Sequence, residues 1–438
     1  MAIPNNTRVE FEAKVKQCLS ISPIRSRENL MGRDAKLEIV IRALETPGRS
    51  VFIFGDRGVG KTSLAATSAE AISGGKFEPV LIGCSADATF VELLQTAVRR
   101  MHGAVRTNSW NEQKEELFSI IPDMYVAIER GEFGRFTSQN DVIDMLRYLS
   151  QFYPSSPIII IDEFNELLSV DEKKKFADFA KQLTDQSAPI KIIFCGIGSS
   201  MEELMGLHAS IGRSIMPVEL ERLDDLSLWS IVDHAAAIVE VGIDRETNLR
   251  TAILSDGFPY FVHLVTEYMF WEAFHAEEER NIITVEDFGN AVVAAIPHAD
   301  NMLRETYEKA TKKYKNSEEY EEVLWAYADA PTLTRQSQDV YDQSYLAIVR
   351  KRNKQRRMRN EKTRPVLPKD KFDQRLAKLK TEAYGEILRW RRSGWYEFRE
   401  NMMRGFVRIR AREAGVELGI DHHHVSKSSQ LLRDLLSE

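Results

Sequence analysis

Between residues 30 and 220 the chain alternates short, almost continuous apolar runs with stretches of helical periodicity. The runs Val51–Phe54, Pro79–Gly83, Ile158–Ile161, Ile190–Cys195 and Ile215–Leu220 place Ile, Val and Phe on successive positions. That is the signature of strands covered on both faces, as in a parallel sheet. Between them, Lys61–Ala71, Ala88–Met101, Asp141–Phe152 and Lys173–Thr184 return their apolar residues at helical spacing. The alternation predicts an α/β fold built on a doubly wound parallel sheet. Residues 103–138 fit neither pattern and are expected to form a helical insertion.

After Leu220 the strand signal stops. Leu226–Val239, Glu246–Ser255, Tyr260–Ala276 and Val285–Ala294 read as four amphipathic helices, a small lid-like bundle. From His298 onward come a charged helix to Tyr314, another over Tyr320–Tyr327, and helical patterns over Ser337–Val349 and Asp373–Ala383. Ile387–Trp390 and Trp395–Phe398 alternate in strand fashion around Arg391-Arg392-Ser393-Gly394, a hairpin signal. The expected organisation is a partly ordered arm over 1–28, an α/β core over 29–222, a helical lid over 223–297 and a basic domain over 298–438.

Composition adds two constraints. With 43% hydrophobic and 29% charged residues in 438, the chain has the make-up of a soluble protein of two or three domains. It shows neither a membrane-length apolar run nor a leader-like apolar core, so membrane partners are excluded from the reading. Three scattered cysteines, Cys18, Cys84 and Cys195, suit a reduced, cytoplasmic setting without disulfides. The net charge of -7 conceals an asymmetry: Arg350 to Arg412 holds 22 Lys/Arg against 7 Asp/Glu. A basic module on an acidic body predicts a polyanion-binding face.

The chemistry concentrates at Gly55-Asp56-Arg57-Gly58-Val59-Gly60-Lys61-Thr62, a complete phosphate-binding loop between a predicted strand and a predicted helix. Its glycines let backbone N–H groups converge on phosphate oxygens, and the helix N-terminus adds partial positive charge. Lys61 is suited to the β- and γ-phosphates and Thr62 to a Mg²⁺ ion, with Ser63 next in line. About 100 residues on, Ile158–Ile161 ends in Asp162-Glu163. There Asp162 can hold the Mg²⁺ shell and Glu163 can orient and deprotonate a water. The expected ligands are therefore ATP and Mg²⁺. Phosphoryl transfer also needs a cation at the transition state, and Arg213, just before the fifth strand, is the candidate. A surface arginine is the alternative, and the sequence leaves open whether Arg213 would serve its own subunit or a neighbour. Ser199, after the fourth strand, is a candidate for the γ-phosphate, although a simple turn explains it nearly as well.

These pieces resemble the AAA+ ATPases, in the branch shared by origin-recognition-complex-like initiators and STAND signalling ATPases. Leu30-Met31-Gly32-Arg33-Asp34 matches the motif that precedes the phosphate loop there. The resemblance implies that Gly32 and Arg33 contribute to the nucleotide pocket, with Pro23 and Ile24 near the adenine. Gly257-Phe258-Pro259 matches the Gly-x-Pro motif of STAND proteins, which implies that Pro259 packs on nucleotide. Arg213 falls where the family places an arginine finger or sensing arginine. Two departures stand out: no lid arginine accompanies Pro259, where Tyr260 and His263 stand instead, and the Ser199 region lacks the usual Asn or Thr. They suggest a slow switch rather than a fast motor.

The C-terminal region resembles, less specifically, the winged-helix domain of initiator ATPases. The resemblance makes Phe372–Leu379 the recognition helix and Ile387–Phe398 the wing. Lys371, Arg375 and Lys378 on the helix, and Arg389, Arg391 and Arg392 on the hairpin, are then the candidate phosphate contacts to duplex DNA. The competing expectation is a face that docks an acidic protein, in a signalling switch that self-associates in its ATP state. His422-His423-His424 reads as a solvated run rather than a metal site.

Overall fold

The computed structural model describes residues 7–20, 22–107, 139–198, 213–276, 281–312 and 317–419. Ser199, the 108–138 part of the expected insertion and the His422–His424 run lie outside them. The chain divides into two compact units, Ser22–Glu221 and a second made of Met1–Ile21 with Arg222–Glu438.

The second unit claims the first helix, α1 (Arg8–Cys18). The first unit holds a five-stranded parallel sheet of β1 (Ser50–Gly55), β2 (Val80–Gly83), β3 (Ile158–Asp162), β4 (Lys191–Ile197) and β5 (Ile215–Glu219), in the order β2-β3-β4-β1-β5. Helices α2 (Asp34–Glu45), α3 (Lys61–Ser73) and α4 (Phe90–Thr107) pack on these strands, while α5 (Gln139–Ser150) and α6 (Val170–Asp185) pack on α4. This is the fold the hydropathy pattern predicted, with each predicted strand and helix shifted by a few residues at its ends. Residues 103–107, expected in an insertion, instead continue α4. Ile158, Ile159, Ile160 and Ile161 are buried on both faces, which is why their run shows no alternation. Phe52, Phe164, Phe176 and Phe194 meet edge-on or stacked at centroid distances of 5.3 to 6.1 Å, directly beneath the ends of β3 and β4. Each buried side chain of this size contributes about 1.5–3 kcal/mol.

The second unit is mostly helical. Within the expected partly ordered arm over 1–28, α1 is a helix that opens with a Thr7–Glu10 capping box. Phe11, Val15 and Cys18 recur at helical spacing and are buried. Phe11 stacks on Phe274 at 4.4 Å and meets Trp271 edge-on at 4.9 Å. The unit's first helices after Arg222 are α7 (Asp225–Val239), α8 (Arg245–Ser255), α9 (Pro259–His275) and α10 (Val285–Ala295), with a small parallel pair, β6 (Gly242–Ile243) and β7 (Ile282–Ile283).

Beyond them come α11 (Asn301–Thr311), α12 (Ser317–Ala328), the short strand β8 (Arg335–Gln336), α13 (Leu346–Met358) and α14 (Lys369–Lys378). The hairpin β9 (Leu388–Arg392) and β10 (Trp395–Phe398) follows, then α15 (Met403–Glu413). β8 joins the hairpin in a three-stranded sheet of order β8-β10-β9. The helix expected over Ser337–Val349 is longer, because helical structure runs through a π segment, Val340–Tyr345, into α13. No Pro or Gly interrupts 337–358, and its Lys and Arg are good helix formers. The helix expected over Asp373–Ala383 starts earlier, after Pro368, and ends at Lys378. Among the described residues no helix is long and apolar enough to cross a membrane.

Candidate functional site

The sheet delivers two chain segments to its C-terminal edge. β1 runs into the phosphate loop and β3 runs into Asp162-Glu163, with β4 lying between those two strands. Parallel α/β sheets bind ligands at this edge. Gly55 has φ +147°, and a Cβ there would sit 2.2 Å from the carbonyl oxygen of Leu220. Only glycine lets the loop depart so close to the segment that follows β5.

Thr62 Oγ1 donates a 2.7 Å hydrogen bond to Asp162 Oδ2, and the Glu163 N–H donates to Asp162 Oδ1 at 2.9 Å. Both carboxylate oxygens are thereby oriented. A hydroxyl beside a carboxylate is a hard-oxygen donor set of the kind Mg²⁺ takes. The Lys61 ammonium, nearly buried, donates to the carbonyls of Asp56 at 2.6 Å and Gly55 at 3.2 Å. Burial lowers its pKa, with Cys195, Asp162 and Asp56 pulling the other way. Glu163 takes φ +54°, in the left-handed region that non-glycine residues seldom occupy. Its side chain is exposed at the sheet edge. Such strain costs on the order of 1–3 kcal/mol and concentrates at functional positions.

The elements upstream brace this loop. Arg33, at the start of α2, is buried and donates to the carbonyls of Val59 at 3.0 Å and Glu221 at 2.7 Å. It therefore ties the phosphate loop to the end of β5, while Gly32 turns the chain before it with φ +69°. Ser63 Oγ accepts from the Ile24 N–H at 3.1 Å, and Thr67 Oγ1 donates to the Ile24 carbonyl at 3.0 Å. Ile24 is thus fixed on the helix that carries Lys61 and Thr62. Asp56, Arg57 and Gly58 are half-exposed on the loop and Val59 is buried.

Asn165 was missed by the sequence reading. Its Oδ1 accepts a 2.8 Å bond from the Ile197 N–H at the end of β4, locking that strand end to the turn after Asp162. Its signal was only a polar residue inside Asp162-Glu163-Phe164-Asn165-Glu166.

Arg213 lies elsewhere in the unit. It is exposed at the start of β5, where Ser50 N–H donates to Ser214 O at 2.8 Å. β5 runs parallel to β1, so Arg213 sits at the edge of the sheet opposite the loop. At about 3.3 Å per strand residue, five to six residues separate the two edges by roughly 17–20 Å.

In the second unit, Gly257 has φ +84°, and a Cβ there would lie 2.7 Å from Arg222 Cβ. Pro259 then starts α9 at a position where its missing N–H costs nothing. Asp256, immediately before this motif, is buried among Arg222, Arg404 and Arg408. His263, which stands where a lid arginine would be, is buried in α9, and burial pushes its pKa down to about 4.

Much of the basic region is neutralised from within. Arg375 donates to Glu319 at 2.7 Å, and Arg389 and Arg391 share Glu397 at 2.5 and 2.6 Å. Glu397 is itself buried and also accepts from Thr334. Arg392 lies over the Trp395 ring at 4.3 Å. Lys371 and Lys378 are exposed on one face of α14, and Lys371 contacts Gln374 at 3.3 Å.

Residues 29–193 match the family model described as AAA ATPase domain. No curated protein matches the chain. Among solved structures, a Walker-type ATPase of Pyrococcus abyssi is similar at 17% identity and TM-score 0.46, covering 89% of this chain and 99% of that one. Cdc6p from Pyrobaculum aerophilum is similar at 13% identity and TM-score 0.44, covering 91% and 98%. The Thermotoga maritima RuvB Holliday junction branch migration motor is similar at 16% identity and TM-score 0.40, covering 66% and 80%.

Proposed function

We propose, on the premise that residues 29–193 of this chain form an AAA ATPase domain, that the protein is a nucleotide-controlled switch. In this reading it binds ATP with Mg²⁺, hydrolyses it slowly and thereby sets the affinity of its basic C-terminal region for duplex DNA. The observation that carries the reading is the 2.7 Å bond from Thr62 to Asp162 at the mouth of the phosphate loop. It brings together the hydroxyl and the carboxylate that a phosphate-bound Mg²⁺ requires.

When bound, Mg²⁺ would neutralise charge on the β- and γ-phosphate oxygens. Lys61 would exchange its loop carbonyls for phosphate oxygens. Glu163, held at φ +54° beside Asp162, would orient the attacking water and take its proton. Arg213, on the far edge of the sheet, would complete the site of a neighbouring subunit rather than its own, so turnover would require self-association.

The DNA half of the reading is supported by the order α12, β8, the 337–358 helix, α14 and the β9–β10 hairpin, with β8 closing a three-stranded sheet. That order agrees with a winged helix, in which α14 would enter a groove and the hairpin would flank it. One observation favours the competing reading, a STAND-type signalling switch whose C-terminal region docks a protein. The side chains of Arg375, Arg389 and Arg391 are already occupied by Glu319 and Glu397.

The test is fluorescence anisotropy of a labelled duplex with and without ATP at several salt concentrations, run on the full chain and on Lys61→Ala. The reading expects salt-steep binding that ATP changes in the wild type and does not change in the variant. Absence of DNA binding at low salt, with ATP-dependent oligomerisation retained, would transfer the function to the signalling switch.

A further inference from the structure

Helix α13 carries positive charge on two faces, and the two are in different states. On its inner face Arg352 reaches Glu322 at 2.9 Å, and Arg356 reaches Glu318 at 3.2 Å and Glu322 at 3.7 Å. Ile348 and Val349 are buried with them. On its outer face Arg350, Lys354 and Arg357 are exposed. Their i, i+4, i+7 spacing gathers them into an arc of about 60° and a row about 10 Å long. Their side chains make no hydrogen bond, ion pair or ring contact with any described residue. Arg359 and Lys362, also exposed and without a side-chain partner among the described residues, extend the charge into the connection to α14.

We infer that the Arg350-Lys354-Arg357 row is a phosphate-contact surface that engages the backbone of duplex DNA without reading its sequence. The inference rests on the DNA-binding reading above and moves its electrostatic centre. Arg375, Arg389 and Arg391 each already donate Nε to a carboxylate that offsets part of their charge, whereas the charge of the α13 row is uncompensated and gives up only water. With one phosphate per 3.4 Å of axis on each strand, a 10 Å row can meet about three phosphates. The row offers charge and reach but no shape: α13 contains no aromatic residue. Protein partners are held chiefly through buried aromatic and arginine anchors, while phosphate contacts need only correctly spaced cations. The row lies in the basic 350–412 segment of a chain whose net charge is -7, so its charge is local to that segment rather than shared by the whole protein.

The test compares wild type, Arg350→Ala/Lys354→Ala/Arg357→Ala, and Lys371→Ala/Lys378→Ala, all as full chains. Binding to two unrelated 30-base-pair duplexes is titrated by anisotropy across salt. Because the row is solvated, the triple variant should keep the wild-type circular dichroism and melting temperature. The expected result is a log K against log salt slope smaller by about 2–3 in the triple variant, equal for both duplexes. The Lys371→Ala/Lys378→Ala variant should lose less. A wild type that binds DNA and a triple variant with an unchanged slope would overturn the inference alone. A wild type that binds neither duplex at low salt would overturn the DNA reading and this surface with it.

Discussion

Arg404 and Asp256 face each other through two 2.7 Å hydrogen bonds, one to each carboxylate oxygen, and both side chains are buried. Arg408 and Arg222 add contacts to the same carboxylate at 3.2 Å. Arg404 also donates to the carbonyls of Pro331 and Thr332, and Arg408 to those of Ala328 and Ile253. One carboxylate therefore joins α15, the segment after α12 and the turn that presents Gly257-Phe258-Pro259. Burial works against the Asp256 charge, but the three guanidiniums outweigh it and hold its pKa below the ordinary value.

Removing one partner of such a cluster strands buried charge. Arg404→Met should cost about 3–5 kcal/mol of unfolding free energy, and Asp256→Asn a similar amount. The double variant should cost clearly less than the sum of the two, because the Arg404–Asp256 interaction can be lost only once. Urea unfolding of the four proteins measures this. Strict additivity would mean the pair is not coupled.

The position of Arg213 makes a complementation experiment decisive. Arg213→Ala should bind ATP as wild type does and lose turnover by about 10³-fold or more, the usual worth of an arginine finger. Lys61→Ala should be inactive because it cannot hold ATP. Mixing the two should restore activity, since a Lys61→Ala subunit can still offer Arg213 to an Arg213→Ala neighbour. Steady-state ATPase rates of the mixtures report the result. If the mixture stays as inactive as its parts, Arg213 does not act across subunits.

The sheet and the loop were legible because their residues answer local rules. Ile158–Ile161 could only be a doubly covered strand, and the spacing of Gly55, Gly58, Gly60 and Lys61 fixes a loop geometry by itself. What escaped was long-range pairing. Nothing near Arg375 in sequence announces Glu319, which comes from a helix 56 residues away, whereas Glu397 lies six residues from Arg391 on the facing strand of the predicted hairpin and only its pairing went unread. The buried face of α1 was hidden for another reason: Phe11, Val15 and Cys18 are separated by charged residues, so the segment reads as polar overall. The far-edge location of Arg213 follows from the direction of β5 alone: a residue just before a strand parallel to β1 lies at the edge opposite the phosphate loop, which the predicted parallel sheet already implied.

Glu163 can be separated from its neighbour by chemistry. Glu163→Gln keeps the backbone and the Asp162 contact but removes the base. It should retain ATP and Mg²⁺ binding while single-turnover hydrolysis falls at least 10²-fold, within the span of general-base contributions. Asp162→Asn should instead weaken Mg²⁺-dependent nucleotide binding itself. Equal single-turnover rates for Glu163→Gln and wild type would remove Glu163 from the reaction.

The last prediction concerns pH. Both ring nitrogens of His263 are buried without a hydrogen-bond partner, as is Thr266 Oγ1 one turn further along α9. Burial lowers the His263 pKa from 6.5 to about 4. Between those values the unfolded chain takes up a proton that the native protein refuses. Unfolding free energy therefore falls as pH drops from 6.5 towards 4, and this group contributes no pH dependence above that window. A shift of this size is worth about 3 kcal/mol across the window. The Asp256 contribution has the same sign but begins lower, as pH falls through the ordinary aspartate value of 3.8, so the two effects separate on the pH axis. His263→Phe should flatten the stability profile between pH 6.5 and 4 and leave the steeper acid loss below it. Denaturant midpoints measured every half unit from pH 7 to 3.5 would show this, and an identical slope in both proteins would mean that His263 is solvated in the native state.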